Sequence, residues 1–182
     1  MLQPDIDCAR LLLRPFTVAD ATTVHQLVNS PQISGVTANI PYPYTHELAL
    51  EWIARHPEWW RLNKIAAWAI IQKENQRLTG AISLIGVGSN KPSIGYWVGV
   101  EYWGRGFCSE AANAVCRLAF ERLAIRQIGA CHLARNPASG RVLTKTGFLF
   151  AKQQMELIKN SNRREAVRYY TLLPQNLPGY AE

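Results

Sequence analysis

The sequence predicts a mixed α/β domain of the α+β type, and three observations lead to that prediction. Its 182 residues suit one compact domain. Hydrophobic residues make up 48% and charged residues 18%, a globular composition that excludes a disordered chain. Helix signals dominate before residue 65, and strand-like apolar runs follow it. We expect one domain over residues 8–173, with terminal extensions at 1–7 and 174–182.

The first third of the chain predicts one strand and two helices, at Cys8–Phe16, Asp20–Ser30 and Thr45–Leu62. Asp20 and Thr45 are suitable N-cap residues for the two helices. Pro31 stops the first helix, and Pro57 kinks or breaks the second. Between the helices, residues 41–44 read Pro-Tyr-Pro-Tyr and predict a rigid aromatic loop.

The rest of the chain alternates strands with two helices. The predicted strands are Ile65–Gln72, Leu78–Ile85, Ser93–Val100, Ile125–His132, and a closing hairpin of Phe148–Ile158 and Ala166–Leu173 around a turn at Asn160–Arg164. Apolar residues at helical spacing predict a helix over Ser109–Leu123. A second short helix is predicted over Ser139–Thr146, with Gly147 as its C-cap.

The net charge of +7 is concentrated in the second half of the chain. Residues 1–100 hold 8 Lys and Arg against 7 Asp and Glu, whereas residues 101–182 hold 12 against 6. A basic half indicates an anionic partner, such as nucleic acid or a polyphosphate cofactor, or else a solvated basic surface.

Cysteine usage and the absence of targeting signals predict a cytoplasmic protein. Cys8, Cys108, Cys116 and Cys131 form no CxxC pair, and no metal site is expected. Their apolar neighbours predict buried free thiols in a reducing compartment. The N-terminus lacks a signal-peptide core, and the longest apolar run, Ile65–Ile71, is too short to span a bilayer.

The densest motif is the run YWGRGFCSEA at residues 102–111, in which a strand leads through a Gly-x-Gly turn into a helix. Backbone N–H groups at such a turn can converge on phosphate oxygens at the positive end of the helix. Glycine is required because a Cβ would block the ligand's approach, and Arg105 can add charge. A Rossmann fingerprint would need glycine at Ser109, and the chain lacks GxxxxGK[ST], so a dinucleotide fold and a P-loop are excluded.

This run resembles the acetyl-CoA loop of the GNAT N-acetyltransferases, in the form typical of the RimJ/RimL-like branch. Further motifs similar to that branch are RLLLRPF at residues 10–16, WAI at 68–70, NPAS at 136–139 and KTGF at 145–148. The resemblance covers about residues 8–173. It implies the GNAT fold: a mixed, mostly antiparallel sheet of about six to seven strands with about four helices. It also implies a V-shaped split between strands 4 and 5, here Ser93–Val100 and Ile125–His132.

By this resemblance, acetyl-CoA lies in the split as the cosubstrate. The pantetheine arm would pair with the backbone of strand 4 like an added strand, and the N–H groups of the glycine loop would hold the pyrophosphate. Basic residues of the later motifs would meet CoA phosphates. The residues assigned to acetyl-CoA are Trp97, Val98, Gly99, Gly104, Arg105, Gly106, Phe107, Cys108, Ser109, Asn136, Ser139, Arg141 and Lys145.

The implied reaction is direct transfer of the acetyl group from the thioester to a neutral amine. A backbone N–H at Val98 or Gly99 would stabilise the oxyanion. Leu143 stands where many GNAT enzymes have a Tyr that protonates the departing thiolate. Ser139 is therefore the candidate catalytic contact to the sulfur, although it could equally cap its helix.

The sequence leaves the general base open. Strand 4 carries no acidic residue, so His132 is the candidate base, with Glu101, Glu47 or a water chain as alternatives. At pH 7 about one seventh of α-amines, but only about 0.04% of lysine side-chain amines, are neutral. A site without a strong base therefore favours a protein N-terminal α-amine, in agreement with the RimJ/RimL-like resemblance.

The acceptor side is expected to use Tyr42, Tyr44, His46 and Tyr96, with Trp52 in the core. A small-molecule amine, such as a polyamine, an amino-sugar antibiotic or an amino acid, is the alternative acceptor. A non-catalytic acyl-CoA-binding module is a third possibility. Direct nucleic-acid binding is not expected because the basic residues are scattered, and both a monomer and a homodimer fit the sequence.

Overall fold

The computed structural model describes residues 2–158 and 161–180. Eight strands run through this part of the chain: β1 (Ile6–Asp7), β2 (Leu11–Pro15), β3 (Ile65–Gln72), β4 (Arg77–Ile85), β5 (Ser93–Val98), β6 (Ile128–Leu133), β7 (Leu149–Ile158) and β8 (Arg163–Leu172). The α-helices are α1 (Ala21–Val28), α2 (Pro31–Val36), α3 (His46–Ala54), α4 (His56–Arg61), α5 (Phe107–Arg122) and α6 (Pro137–Lys145). Short 3-10 turns lie at Val18–Asp20, Val100–Tyr102 and Pro174–Asn176.

The strands form one sheet in the order β1-β2-β3-β4-β5-β6-β8-β7. Neighbours are antiparallel except β5 and β6, which are parallel. The predicted mixed, mostly antiparallel sheet is thereby confirmed. The additional strand is β1, whose two residues, Ile6 and Asp7, are too few to show an alternating pattern.

The sheet opens between β5 and β6. The two strands pair only at Ser93 with Gly129 and at Ile94 with Ala130, although both continue beyond these pairs. Parallel pairing that ends after two residues leaves a gap between the strands. The predicted V-shaped split is therefore present, and it is the feature around which the candidate site is built.

The predicted role of Asp20 as the side-chain N-cap of the first helix is wrong. Asp20 does not cap α1 with its side chain. Its carboxylate instead accepts hydrogen bonds from the Thr17 N–H at 2.8 Å and from Arg14 at 2.8 Å. Pro31 stops α1 as predicted but also begins α2, where Ser30 accepts from the Gln32 N–H. This is the proline position that a helix tolerates best.

The remaining helix predictions are close to the structure. The Thr45 side chain accepts from the Leu48 N–H at the start of α3, and Pro57 lies in the first turn of α4, so the long predicted helix is broken as expected. Helix α5 begins at Phe107 rather than Ser109 because Gly106, at φ +80°, turns the chain directly into the helix. Of the predicted closing turn, Asn160 lies outside the described residues.

Two apolar clusters cover the two faces of the sheet. One surrounds Trp68, which is fully buried and whose Nε1–H donates to the Pro4 carbonyl at 2.8 Å; α5 packs on this face. The chain after β8 returns to the same cluster through Leu177 and Tyr180. The other cluster joins α1 and α3 to the opposite face. The split is thus held between two packed layers.

The prediction of buried thiols holds for Cys116 but is wrong for Cys131, which is exposed, while Cys8 and Cys108 are half-buried. All four cysteines are unpaired. Cys131 is exposed because side chains alternate along β6 and the neighbouring His132 takes the buried face. No helix in the described part of the chain is long and apolar enough to cross a membrane.

His56 is a buried polar group without a partner. Its side chain is 4% exposed, and neither ring nitrogen has a hydrogen bond. The ring is enclosed by Phe16, Trp52 and Trp59, with centroid distances of 5.2, 4.4 and 5.6 Å. Burial lowers the pKa of His56 to about 4, so the folded protein holds this imidazole neutral.

We expect His56 to lower the free energy of unfolding in acid. Unfolding restores its ordinary pKa of about 6.5, so the unfolded chain binds the proton more tightly. The stability that the neutral, buried His56 contributes to the free energy of unfolding is fully present above pH 6.5 and is lost as the pH falls toward 4. Between pH 7 and 4.5, His56→Phe should lose about 2–3 kcal/mol less unfolding free energy than the parent.

Urea unfolding at the two pH values measures this difference. Leu62→Phe, at an exposed position directly after α4, changes no titratable group; it is the control and should keep the parent's pH dependence. Equal acid sensitivity of His56→Phe and the parent would contradict the assignment.

Candidate functional site

The glycine loop has the backbone needed to present N–H groups to an anion. Gly104 and Gly106 have φ values of +75° and +80°, a region that other residues rarely adopt. A Cβ on Gly104 would meet nothing within 4 Å, so the space in front of the loop is open. The loop leads directly into the 16-residue helix α5, whose N-terminus adds a favourable dipole for an anion.

The loop is fastened to the start of the chain by Arg10. The backbone N–H and Nε of Arg10 donate to the Glu110 carboxylate at 2.7 and 2.8 Å, and its guanidinium donates to the Arg105 carbonyl at 3.0 Å. The guanidinium also lies over the Phe107 ring at 5.3 Å. One side chain therefore fixes both the loop and the first turn of α5.

The edge of β5 offers unpaired backbone to the split. The Gly99 N–H donates to the Thr79 carbonyl at 2.9 Å. Because backbone direction alternates along a strand, the Val98 N–H points to the opposite side, into the split. The Val98 carbonyl accepts from Trp103 Nε1 at 3.0 Å. Of the two candidate oxyanion donors, Val98 has its N–H directed into the split, whereas the Gly99 N–H is already bonded.

Helix α6 begins on the other side of the split. Asn136 is its N-cap and accepts from the Ser139 N–H at 3.2 Å, so Ser139 is not the capping residue. The Asn136 amide also donates to the Val36 carbonyl at 3.1 Å. This bond ties α6 to the end of α2, and it leaves the Ser139 hydroxyl available for another role.

Tyr96 connects the two sides of the split. It lies on β5, and its phenol oxygen is 2.9 Å from Ser139 Oγ and 3.1 Å from the Ser139 carbonyl oxygen, to which it can donate. Burial raises the pKa of Tyr96 above its usual range, so the phenol is protonated at neutral pH. The sequence predicts Tyr96 as an acceptor-binding residue; its place beside Ser139 depends on contact between residues 43 positions apart.

His132 lies behind α6 rather than in open solvent. Its Nδ1 is 2.8 Å from the Leu133 carbonyl, and its Nε2 is 3.3 Å from the Tyr170 phenol. Burial lowers the pKa of His132. A Cβ on Gly140 would meet His132 Nε2 at 2.8 Å, so α6 approaches this pair closely. Tyr170, which sequence analysis did not single out, lines the same cleft.

These features surround a continuous cleft of about 1560 Å³. Typical pockets for one small ligand have about 300–1000 Å³, so the cleft has room for a large ligand and an acceptor together. The predicted site residues that line it are Tyr44, Tyr96, Trp97, Val98, Gly104, Gly106, Phe107, Cys108, Ser109, His132, Asn136, Ser139, Arg141 and Lys145. Four others, Tyr42, His46, Gly99 and Arg105, are not among the residues that form its wall.

Of the residues predicted to bind the acceptor, some line the cleft and others do not. Tyr44 is buried and lines the cleft, whereas Tyr42 is 54% exposed. His46 contacts Thr22 on α1 at 3.3 Å. Trp52 lines the cleft while packing edge-on against Phe16, so it serves both wall and core.

Charged residues lie along both walls of the cleft. Six basic and two acidic residues are among the described residues of the wall: Arg55, Lys91, Arg135, Arg141, Lys145, Lys152, Glu51 and Glu156. The alternative bases Glu47 and Glu101 are exposed and are not part of this wall. The cleft is therefore predominantly positive, which suits a polyanionic ligand.

Comparison with protein families matches residues 10–149 to the acetyltransferase (GNAT) domain. A curated relative, the uncharacterized N-acetyltransferase YoaA of Bacillus subtilis, is 26% identical over 147 residues, which cover 80% of this chain and 82% of the relative.

Two solved structures share the fold across nearly the whole chain. RimL, a ribosomal L7/L12 α-N-protein acetyltransferase in complex with coenzyme A, has a TM-score of 0.83 at 18% identity and covers 93% of this chain and 98% of its own. Spermidine N-acetyltransferase from Vibrio cholerae, in complex with CoA and spermine, has a TM-score of 0.78 at 19% identity, with 92% and 98% covered. The expected GNAT fold is confirmed.

The open space before Gly104 gives a prediction for ligand binding. Gly104→Ala should cost about 1 kcal/mol of stability because of its positive φ, and its methyl group should weaken CoA binding at least tenfold by blocking the N–H groups. Titration calorimetry with CoA measures the effect. Gly179→Ala is the matched control, since Gly179 has φ +68° and no Cβ contact under 3.7 Å. It should lose similar stability but keep its affinity, and equal affinities of the two variants would contradict the site.

Proposed function

The chain belongs to the GNAT acetyltransferase family, and we propose that it transfers the acetyl group of acetyl-CoA to a protein N-terminal α-amine. As a member of this family it is an acetyltransferase enzyme with acetyl-CoA as its cosubstrate. The similarity to RimL supports the RimJ/RimL-like branch. The observation that carries the proposal is a positive cleft with room for two substrates, in which none of the described wall residues is a buried carboxylate.

Acetyl-CoA supplies the activated acetyl group as a thioester, and the residues of the split fit its parts. The N–H groups from Gly104 to Ser109 would hold the pyrophosphate, where the backbone is already in place. The exposed side of β5 would pair with the pantetheine amides. Arg141 and Lys145, on the wall at α6, would meet phosphate oxygens.

The Val98 N–H would polarise the thioester carbonyl. It would stabilise the negative charge that develops on that oxygen as the amine nitrogen forms its bond to the carbonyl carbon. The carbon–sulfur bond then breaks, and the sulfur leaves as a thiolate that needs a proton or a hydrogen bond.

Ser139 and Tyr96 form the group that would meet this thiolate. The Tyr96 phenol has one proton, so when it donates to Ser139 Oγ instead of to the Ser139 carbonyl, the serine proton is directed away from the phenol and can form a hydrogen bond to the sulfur. The protonated phenol would then stabilise the partial negative charge on the serine oxygen. The proton that the amine nitrogen loses on forming the amide would pass through water to the departing sulfur, so Ser139 ends protonated as it began. This arrangement compensates for Leu143, which is fully buried and cannot supply the tyrosine hydroxyl used elsewhere in the family.

The acceptor must arrive largely neutral or lose its proton to water. His132 is a weak candidate for the base because its nitrogens already contact Leu133 and Tyr170. Without a strong base, the rate should follow the neutral fraction of the amine, which at pH 7 is several hundred times larger for an α-amine than for a lysine side chain. The local chemistry therefore supports an N-terminal α-amine.

A polyamine is the second candidate, since one structural neighbour is named a spermidine N-acetyltransferase. The charge of the cleft opposes it. Among its described wall residues the cleft has six basic residues against the two acidic residues Glu51 and Glu156, so the acidic residues do not outnumber the basic ones. A polycation would gain no net attraction from this balance.

The proposed function is tested by thiol release from acetyl-CoA with a panel of acceptors. The panel contains peptides with free N-termini, the same peptides with acetylated N-termini and free lysines, and spermidine. Release only with free N-termini, rising with pH to a plateau above about pH 8, would support the proposal. Release with spermidine alone would replace it by the small-amine function, and CoA binding without release would indicate the non-catalytic module.

Removing the hydroxyl of Ser139 or of Tyr96 should lower turnover without weakening cofactor binding. We expect Ser139→Ala to reduce kcat about 100-fold, the lower end of what a positioned proton donor contributes. Tyr96→Phe should reduce kcat less, by about tenfold, because the phenol acts only through Ser139. The KM for acetyl-CoA should stay within about threefold. Tyr102→Phe, which alters another phenol on the cleft wall, is the control and should keep its kcat. If Tyr96→Phe lost CoA affinity to the same extent as kcat, the phenol would act only by holding the two sides of the split together, and the proposed role in turnover would be contradicted.

A further inference from the structure

Strand β7 is an open edge of the sheet. It stands last in the strand order, and its ten residues pair on one side with β8. Nine of these ten side chains are exposed or half-buried. Among them, Met155 is 52% and Leu157 is 62% exposed. Partly apolar edges are normally protected by a bulge, charge or a covering partner. β7 has a bulge between Phe150 and Lys152, and beyond that bulge Met155 and Leu157 remain uncovered.

The hydrogen-bond direction along β7 follows from its neighbours. The Ala134 N–H donates to the Ala166 carbonyl, so Ala166 directs its backbone toward β6. Because directions alternate, Val167 bonds to β7 instead, opposite Gln154. Gln153 and Met155 therefore direct their N–H and carbonyl groups to the outer edge, where the described residues provide no strand to receive them. The Met155 carbonyl accepts one long hydrogen bond there, from the Arg164 guanidinium at 3.5 Å.

If β7 of one copy pairs antiparallel with β7 of a second copy, the alternating direction of the backbone groups limits the possible registers. Outward-directed residues must lie opposite outward-directed residues, so a two-fold axis has to pass through a residue position and not between two positions. With the axis at Gln154, Gln153 lies opposite Met155 of the partner subunit in a hydrogen-bonded pair. In the same register, Lys152 lies opposite Glu156 of the partner subunit.

This register is the one that matches charge. Lys152 and Glu156 occupy non-hydrogen-bonded positions, where opposing side chains approach most closely. The symmetry produces the Lys–Glu pair twice. An axis at Met155 would place Lys152 opposite the apolar Ile158, and an axis at Gln153 would place it opposite Gln154. Neither alternative brings opposite charges together.

We propose that a second copy of this chain docks on β7 by antiparallel edge pairing about Gln154, forming a two-fold dimer with one continuous sheet. The two Lys152–Glu156 pairs fix its register. Neighbouring Met155 is covered by the second copy's strand. The proposal does not depend on the nature of the acceptor amine.

The dimer would also shape the mouth of the cleft. Lys152 and Glu156 belong both to β7 and to the cleft wall, and Glu156 accepts from the Tyr169 phenol at 2.9 Å. Pairing with a second copy would hold these side chains in place beside the acceptor end. It would also place two clefts on one extended sheet.

Charge reversal tests the register. In a homodimer of Lys152→Glu, two acidic side chains face each other at both pairs. In a homodimer of Glu156→Lys, two basic side chains face each other at both pairs. Each reversal changes two attractive pairs into repulsive ones, so each homodimer should dissociate at least tenfold more readily than the parent. Mixing the two variants recreates both attractive pairs in a heterodimer. Sedimentation velocity of each protein and of the mixture, from 1 to 100 μM, measures the outcome.

Recovery of a dimer in the mixture, with loss in each single variant, is the expected result. A parent that stays monomeric at 100 μM would overturn the proposal, as would single variants that dimerise like the parent. Circular dichroism of each variant checks that the fold is kept. Gln32→Lys, at an exposed position of α2 away from the sheet edge, is the control for a change of net charge and should sediment like the parent.

Discussion

The short parallel pairing of β5 with β6 is the constraint on which the rest of the site depends. The strands bond at Ser93–Gly129 and Ile94–Ala130 and then part, while the sheet on either side remains fully antiparallel. A buried backbone group without a partner is costly, so this gap is stable only where a ligand, water or side chains can satisfy the exposed edge. The N-termini of α5 and α6 lie at the same gap, and their orphan N–H groups add to its capacity for anions.

The two sides of the split are held at a defined spacing by side chains. Tyr96 reaches from β5 to Ser139, and Asn136 fixes the start of α6 to the end of α2. Arg10 performs the same role for the glycine loop through Glu110 and Arg105. A loop and a helix end that are anchored in this way need little reorganisation when a ligand binds, which favours both affinity and orientation.

Most residues that the sequence assigned to the cofactor line the cleft, whereas two of the four assigned to the acceptor, Tyr42 and His46, do not. The glycine loop is local, since its function depends on backbone torsions set by Gly104 and Gly106 and on the helix that follows. The acceptor end is assembled from distant segments. Tyr42 and His46 each lie two positions from Tyr44 in the sequence, yet only Tyr44 lines the cleft, because its backbone is held by Asn29 and His25. Nothing in the sequence pattern distinguishes these three neighbours.

The resemblance to the GNAT family implied the split. The sequence by itself determined the Gly-x-Gly turn and the order of most strands and helices along the chain. These features rest on short-range patterns: alternating apolar residues, N-caps, prolines and glycines act within a few positions. Only the tertiary structure decided the partners of Ser139, His132 and Lys152. Tyr96 and Tyr170 reach the first two across 43 and 38 positions, and the exposure of β7 follows from its place at the end of the sheet. Such contacts depend on how the strands are ordered in space, and that order is fixed by packing of the whole core.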